Sequence, residues 1–212
     1  MNVYIADITK LYDIDTLEKY IKNTPHICIN KVKKGKAICK IAASVGAYAL
    51  LYYGLKHMGL TTKEEIKFTE KGKPYFADNN IFFNLSHSGD YAVCIIDDVD
   101  VGIDIEKVRA VRERLSERFF TEEEARKINK ATCPKEALIS AWTIKESFAK
   151  AKGSTILEEL SKGHIEPTEK KDIFTAHNSE YYIKLINDVS GYKMSVCRRG
   201  DEQDIVLNKV EL

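Results

Sequence analysis

Two long segments of helical spacing, each accompanied by short alternating segments, set the main limit on how this chain folds. The first, Lys36 to Met58, carries Ala42, Val45, Ala49 and the Tyr52–Tyr53 pair at helical intervals and stops before Gly59. The second starts at Pro134, a residue suited to the first turn of a helix, and runs to about Lys152 before Gly153. Between and after them, Val3–Ile8, Phe82–Leu85, Tyr91–Ile96 and Val101–Glu106 read as strands, with Ser86–Asp90 and Asp97–Asp100 as turns. Tyr181–Ile186, Tyr192–Cys197 and Ile205–Leu207 read as antiparallel strands near the end. Thr16–Ile21 reads as a short amphipathic helix, and Thr121 followed by Glu124 as a capping box. A long helix with several strands in each half predicts an α+β fold of two similar α/β lobes. The division falls near Gly102, giving an N-terminal lobe over 1–101 and a C-terminal lobe over 102–212.

Bulk properties narrow the function. Apolar residues at 44% and charged residues at 31% describe an ordinary globular chain. The 33 basic and 32 acidic residues leave a formal charge of +1, which argues against general nucleic-acid binding. Charge is nonetheless uneven: Lys31, Lys33, Lys34, Lys36 and Lys40 crowd one segment, and Asp97, Asp98, Asp100, Asp104 and Glu106 another. A lysine run is as readily a solvated face as a binding patch. Cys28, Cys39, Cys94, Cys133 and Cys197 are odd in number and lack zinc spacing, so a reducing, cytoplasmic setting is expected. The apolar stretch Ile41–Leu55 contains Ser44, Gly46, Gly54 and three tyrosines and reads as a buried helix, too short and polar to span a bilayer. No membrane association is expected, and no signal-peptide run opens the chain.

Three constellations carry possible chemistry. In Gly102–Glu106 (GIDIE), strand alternation puts Asp104 and Glu106 on one face. Neighbouring carboxylates repel unless a cation sits between them or one is protonated, and an all-oxygen donor set suits magnesium. Alone, the pattern also fits an acidic strand edge in solvent. In Ala141–Gly153 (AWTIKESFAKAKG), Trp142, Glu146 and Lys150 share a helical stripe, though a surface i,i+4 ion pair would look the same. In the third, Phe83–Val93, the turn Ser86–His87–Ser88–Gly89 offers backbone amides and a His to an anion. Upstream, GKPYF places Lys73 on a Gly/Pro turn that is equally an exposed hairpin tip.

Taken in order, an anion loop, a DxE strand, RFFTEEE and WTIKESFAKAKG resemble the surfactin-synthetase type of 4′-phosphopantetheinyl transferase. The likeness is densest from Gly72 to Gly153, and GYKMSVC fits the family's closing strand. The resemblance implies a cytoplasmic monomer of two pseudo-twofold α/β lobes with the active site in the cleft between them. It implies that Asp104, Glu106 and Glu146 hold magnesium on the pyrophosphate of coenzyme A. By the same carry-over, Lys150 lies beside the transferred phosphate, and Lys73, Ser86 and His87 hold the nucleotide end and its phosphates. Lys31, Lys34 and Ser44 fall near the 3′-phosphate, which places the nucleotide side of the site in the N-terminal lobe. Two departures stand out: Ala43 replaces an Arg usual in the family, with Lys40 one turn earlier, and Thr155 replaces a glycine.

The activity so implied moves phosphopantetheine from coenzyme A to a serine of an apo acyl or peptidyl carrier protein, releasing 3′,5′-ADP. Glu146 and Lys150 are the expected catalytic side chains. Either Glu146 or a water on the metal takes the serine proton. Two alternatives stay open at this level: a non-catalytic carrier- or nucleotide-binding module of the same fold, and a magnesium-dependent phosphohydrolase.

Overall fold

The computed structural model describes residues 1–22, 24–25, 38–60, 65–77, 81–109, 119–160, 165–176 and 180–212. The chain opens with strand β1 (Asn2–Asp7), a 3₁₀ turn (Thr9–Tyr12) and helix α1 (Ile14–Ile21), followed by the long helix α2 (Ile38–His57). A small ribbon, β2 (Ile66–Phe68) with β3 (Pro74–Phe76), precedes strands β4 (Phe82–Ser88), β5 (Tyr91–Asp97) and β6 (Val101–Lys107). Helices α3 (Glu122–Lys130), α4 (Pro134–Lys152) and α5 (Ile156–Leu160) come next. Strands β7 (Ile165–Pro167), β8 (Ile173–Ala176), β9 (Tyr181–Ile186), β10 (Tyr192–Arg199) and β11 (Val206–Lys209) complete the order.

These strands form a four-stranded sheet, β11-β1-β5-β4, and a five-stranded sheet, β6-β10-β9-β8-β7. Period-two alternation gives each sheet two apolar faces. From the first sheet, Tyr4, Ala92, Cys94 and Ile96 pack under Val45, Leu50 and Leu51 of α2. The opposite face, with Val3, Ile5, Val93 and Ile95, packs on Ile103, Ile105, Met194 and Val196 of the second sheet. The far side of that sheet is covered by α4 through Ile144, Phe148 and Ala151 against Ile183 and Cys197. The result is helix, sheet, sheet, helix: an α+β fold with one long helix on the outer face of each sheet.

Local signals behave as the sequence predicts. Thr121 and Glu124 form a reciprocal capping box on α3, Pro134 opens α4, and Gly153 closes it in the left-handed region at φ 65°. Non-local features differ in three places. Ser86, His87 and Ser88 are not a turn: they continue β4, pairing with Val93, Ala92 and Tyr91 of β5. Only Gly89 and Asp90 reverse the chain, with Gly89 at φ 56°. The last strand is not antiparallel to β10; β11 runs parallel to β1, with Val206 opposite Asn2, and so returns to the first sheet. A cut between residues 101 and 102 would therefore part β11 from its partner, and it would split β6 itself. Finally, α2 has 20 residues and is, among the described residues, the one helix long and apolar enough to cross a membrane, contrary to the length argument above. Its fate is decided by packing: 61% of the apolar window is buried inside the protein.

Candidate active site

The site is assembled where α4 lies on β6. Alternation along β6 turns Gly102, Asp104 and Glu106 toward α4, while Ile103 and Ile105 enter the core between the sheets. Gly102 permits the approach. A Cβ at this position would run into the Ser147 carbonyl oxygen and lie 2.5 Å from the Ala151 nitrogen, so backbone meets backbone here. Ser195 of β10, paired with Asp104, donates to Ser147 Oγ at 2.9 Å and continues the small-residue contact. Glu146 and Lys150, one helical turn apart, are thereby delivered over the two carboxylates.

Lys150 makes the central contacts. Its ammonium donates to Asp104 Oδ1 at 2.6 Å, to Ser86 Oγ at 3.1 Å and to the Ile103 carbonyl at 3.3 Å. Ser86 in turn donates to Asp104 Oδ1 at 2.9 Å. The other carboxylate oxygen, Asp104 Oδ2, is buried and has no hydrogen-bond partner. Such an atom is costly unless something else supplies positive charge or a proton. Glu106 is held through Oε2 by the Ser88 hydroxyl at 2.7 Å. Burial pushes the Glu106 carboxyl above its ordinary range, opposed by the Ser88 hydrogen bond and reinforced by Asp104. Glu146 is also pushed up, first by burial; Lys150 opposes the shift, and Asp104 and Glu106 add to it.

A cleft of about 430 Å³ opens beside these groups. One wall comes from Ser44, Ala47 and Tyr48 of α2, with Phe68, Gly72 and Pro74 of the β2–β3 ribbon; the other includes Trp142, Glu146 and Lys150 of α4. Ser86, His87, Asp104 and Glu106 lie between. His87 lines this cleft with its side chain exposed, and the protein crowded around it, helped by Lys150, pushes its imidazole below the usual value.

Of the residues singled out in the sequence, Ser44, Ser86, His87, Asp104, Glu106, Glu146 and Lys150 all line this one cleft. Lys73 is not among the lining residues. Its ammonium donates to the Ala151 carbonyl at 2.9 Å and the Val101 carbonyl at 3.4 Å, where it ties the ribbon to the end of α4. Lys31 and Lys34 lie outside the described residues. Among the described residues no three His, Cys, Asp or Glu side chains stand as a ready metal-binding group. The donor chemistry still suits a hard divalent cation, with three carboxylates on one cleft and a buried oxygen of Asp104 left without a partner.

Three contributors escaped the sequence reading. Asn84 accepts the Ile103 N–H at 2.9 Å through its side chain, and Ser88 accepts the Lys107 N–H at 3.1 Å. Lys145 donates to the Phe119 carbonyl at 3.0 Å and to the capping-box Glu124 at 2.8 Å, holding α3 against α4. The signal for the first two was the alternation Asn84-x-Ser86-x-Ser88, which only counts once the segment is known to be a strand.

Comparison with known proteins gives a consistent picture. The 4′-phosphopantetheinyl transferase superfamily model matches residues 100–197. The chain is 31% identical over 159 residues to the 4′-phosphopantetheinyl transferase ffp of Bacillus subtilis, covering 70% of this chain and 71% of that protein. It is 33% identical over 147 residues to the 4′-phosphopantetheinyl transferase Sfp of Bacillus subtilis strain 168, covering 64% of each. It is 32% identical over 132 residues to the 4′-phosphopantetheinyl transferase gsp of Aneurinibacillus migulanus, covering 60% of this chain and 55% of that protein. The match to the latter two thus spans less than two thirds of their length.

Proposed function

The chain belongs to the 4′-phosphopantetheinyl transferases of the surfactin-synthetase type, and we propose that it transfers the phosphopantetheine arm of coenzyme A to a serine hydroxyl of an apo acyl or peptidyl carrier protein, releasing 3′,5′-ADP. The observation that carries this reading is the convergence of Asp104, Glu106, Glu146 and Lys150 on one cleft at the junction of the two sheets. In the reaction the serine Oγ bonds to the phosphorus on the pantetheine side, the bridging P–O bond to 3′,5′-ADP breaks, and the serine proton must go to a base. Phosphoryl transfer of this kind depends chiefly on positioning and charge neutralisation.

Lys150 supplies a fixed positive charge beside the transferred phosphate. Its ammonium is held in place by Asp104, Ser86 and the Ile103 carbonyl, so little reorganisation accompanies the reaction. Glu146 lines the same cleft as a carboxylate able to accept the serine proton. His87 and Ser44 line the wall on which the nucleotide phosphates would lie. Asp104, Glu106 and Glu146 are the residues that would hold magnesium, which when bound neutralises the pyrophosphate and the leaving group. Trp142 and Tyr48 supply apolar walls that limit water.

The proposal extends to a cytoplasmic setting, which five scattered cysteines suit, and to a monomer, as the family resemblance implies. The decisive experiment incubates the protein with coenzyme A, magnesium and a small panel of apo carriers, following carrier mass and 3′,5′-ADP together. Carrier-dependent ADP release with gain of one phosphopantetheine at serine is the expected result. Release of 3′,5′-ADP without any carrier gain would replace the transferase by a phosphohydrolase.

A further inference from the structure

The edges of the two sheets meet without forming a backbone ladder. β4 is the edge of the first sheet and β6 the edge of the second, and β6 turns the N–H groups of Ile103, Ile105 and Lys107 outward. Each is met by a β4 side chain: Asn84 Oδ1 at 2.9 Å, Ser86 Oγ at 3.4 Å and Ser88 Oγ at 3.1 Å. Side chains two apart on one strand thus stand in for the missing partner strand. This arrangement fixes the direction of the serine hydrogens. A hydroxyl has a single hydrogen and two acceptor sites. Ser86 accepts from Ile105 N–H and Lys150, so its hydrogen goes to Asp104; Ser88 accepts from Lys107 N–H and gives its hydrogen to Glu106.

We propose that Ser88 is a positioning residue for the transfer reaction, holding the Glu106 carboxylate by one oxygen in the cleft as Ser86 holds Asp104. The inference rests on the transferase reading above and adds to it a residue that touches no substrate. Its logic is geometric. Glu106 sits next to the end of β6, where only Ser88 connects its carboxylate to the first lobe at hydrogen-bond distance among the described residues. Without that bond the side chain is free to leave the cleft that it lines together with Asp104 and Glu146. Outer hydrogen bonds of this type typically change metal affinity by roughly 10–100-fold when removed.

The test compares Ser88→Ala, Ser88→Thr, Glu106→Ala and the double variant Ser88→Ala/Glu106→Ala. Mn²⁺ is titrated into each protein with coenzyme A and no carrier, free Mn²⁺ being read by electron paramagnetic resonance. Transfer rates against magnesium concentration and melting temperatures are recorded in parallel. Ser88→Ala is expected to weaken Mn²⁺ binding, and to raise the magnesium needed, by roughly tenfold. Ser88→Thr should restore both, and adding Ser88→Ala to Glu106→Ala should change neither further. Unchanged Mn²⁺ affinity in Ser88→Ala, or a full further loss in the Glu106→Ala background, would overturn the proposal; so would a drop in melting temperature alone. Should Ser88→Ala fail to fold, Ser88→Cys, a weak donor of similar size, carries the same expectation. A wild-type protein that modifies no carrier would instead overturn the transferase reading, whatever Ser88 does to Mn²⁺ binding.

Discussion

Consider the pair Lys150–Asp104 as a stability element, since the two ends are unequally placed. The Asp104 side chain is 5% exposed and that of Lys150 28% exposed, with 2.6 Å between the charged atoms. Lys150→Met keeps the aliphatic stem and removes only the ammonium. The carboxylate then stays largely buried with Ser86 as its one remaining donor. Breaking a buried pair this way costs roughly 3–5 kcal/mol, and the surviving Ser86 bond puts the expectation near the lower end, about 3 kcal/mol. Asp104→Asn leaves a cation that can turn toward solvent and still donate to an amide oxygen, so its cost is about 1 kcal/mol. The double variant removes the charge conflict and should lose only about 2 kcal/mol, less than the sum, because the two sites are coupled. For a chain of this size, about 3 kcal/mol corresponds to a fall in melting temperature of roughly 6–12 °C. Urea unfolding at neutral pH, followed through Trp142, the only tryptophan, measures all three variants in one assay. Equal losses for the two single variants, or a double variant equal to their sum, would refute the reasoning.

Glu146→Gln should stabilise the metal-free protein at neutral pH. The raised carboxyl means the folded state binds this proton more tightly than the unfolded chain, so stability falls as pH rises through the folded value. The gain should therefore shrink on acidification, and melting curves across pH that show a constant gain would contradict it. Gly102→Ala should cost at least about 3 kcal/mol, because the new methyl meets the α4 backbone rather than a movable side chain; urea unfolding checks this, and wild-type stability would count against the close approach. Removal of residues 205–212 should lower the melting temperature and promote self-association, since it bares the β1 edge that β11 covers. A truncated protein that melts and elutes like the full chain would show that β11 contributes nothing.

What could be read from the sequence was what is decided locally. The capping box at Thr121 and Glu124, Pro134 at the start of α4 and Gly153 at its end depend on a few neighbouring residues, and they marked the start of α3 and both ends of α4. The period of two along β6 and of one turn along α4 put Asp104, Glu106, Glu146 and Lys150 on the correct faces before any contact was known. The rest depends on partners outside the segment being read. Ser86–Ser88 has the composition of a turn, and only pairing with Val93 and Tyr91 across the hairpin keeps it extended. The parallel return of β11 to β1 joins residues about two hundred positions apart, and no local pattern encodes it. Lys73, placed at the nucleotide end by the family resemblance alone, donates in the structure to the Ala151 carbonyl near the end of α4 and to the Val101 carbonyl of β6.

These misreadings share a cause that also explains why the site is where it is. A strand at a sheet edge carries donors and acceptors with no partner strand, and a fold must satisfy them or leave them to water. Here the first lobe satisfies the outward N–H groups of β6 with short polar side chains rather than with a backbone. The same hydroxyls that close the edge then set Asp104 and Glu106 in position. Fold and chemistry are thus coupled through three residues of one strand. It follows that replacing Ser86 by an apolar residue of similar size, Ser86→Ala, should act on both at once: the Ile105 N–H loses its acceptor, and Asp104 loses a donor while keeping Lys150. The expected outcome is a modest stability loss of about 1–2 kcal/mol together with reduced transfer, read by urea unfolding and carrier modification on the same preparation. Loss of transfer with unchanged stability would place Ser86 on the ligand rather than in the junction.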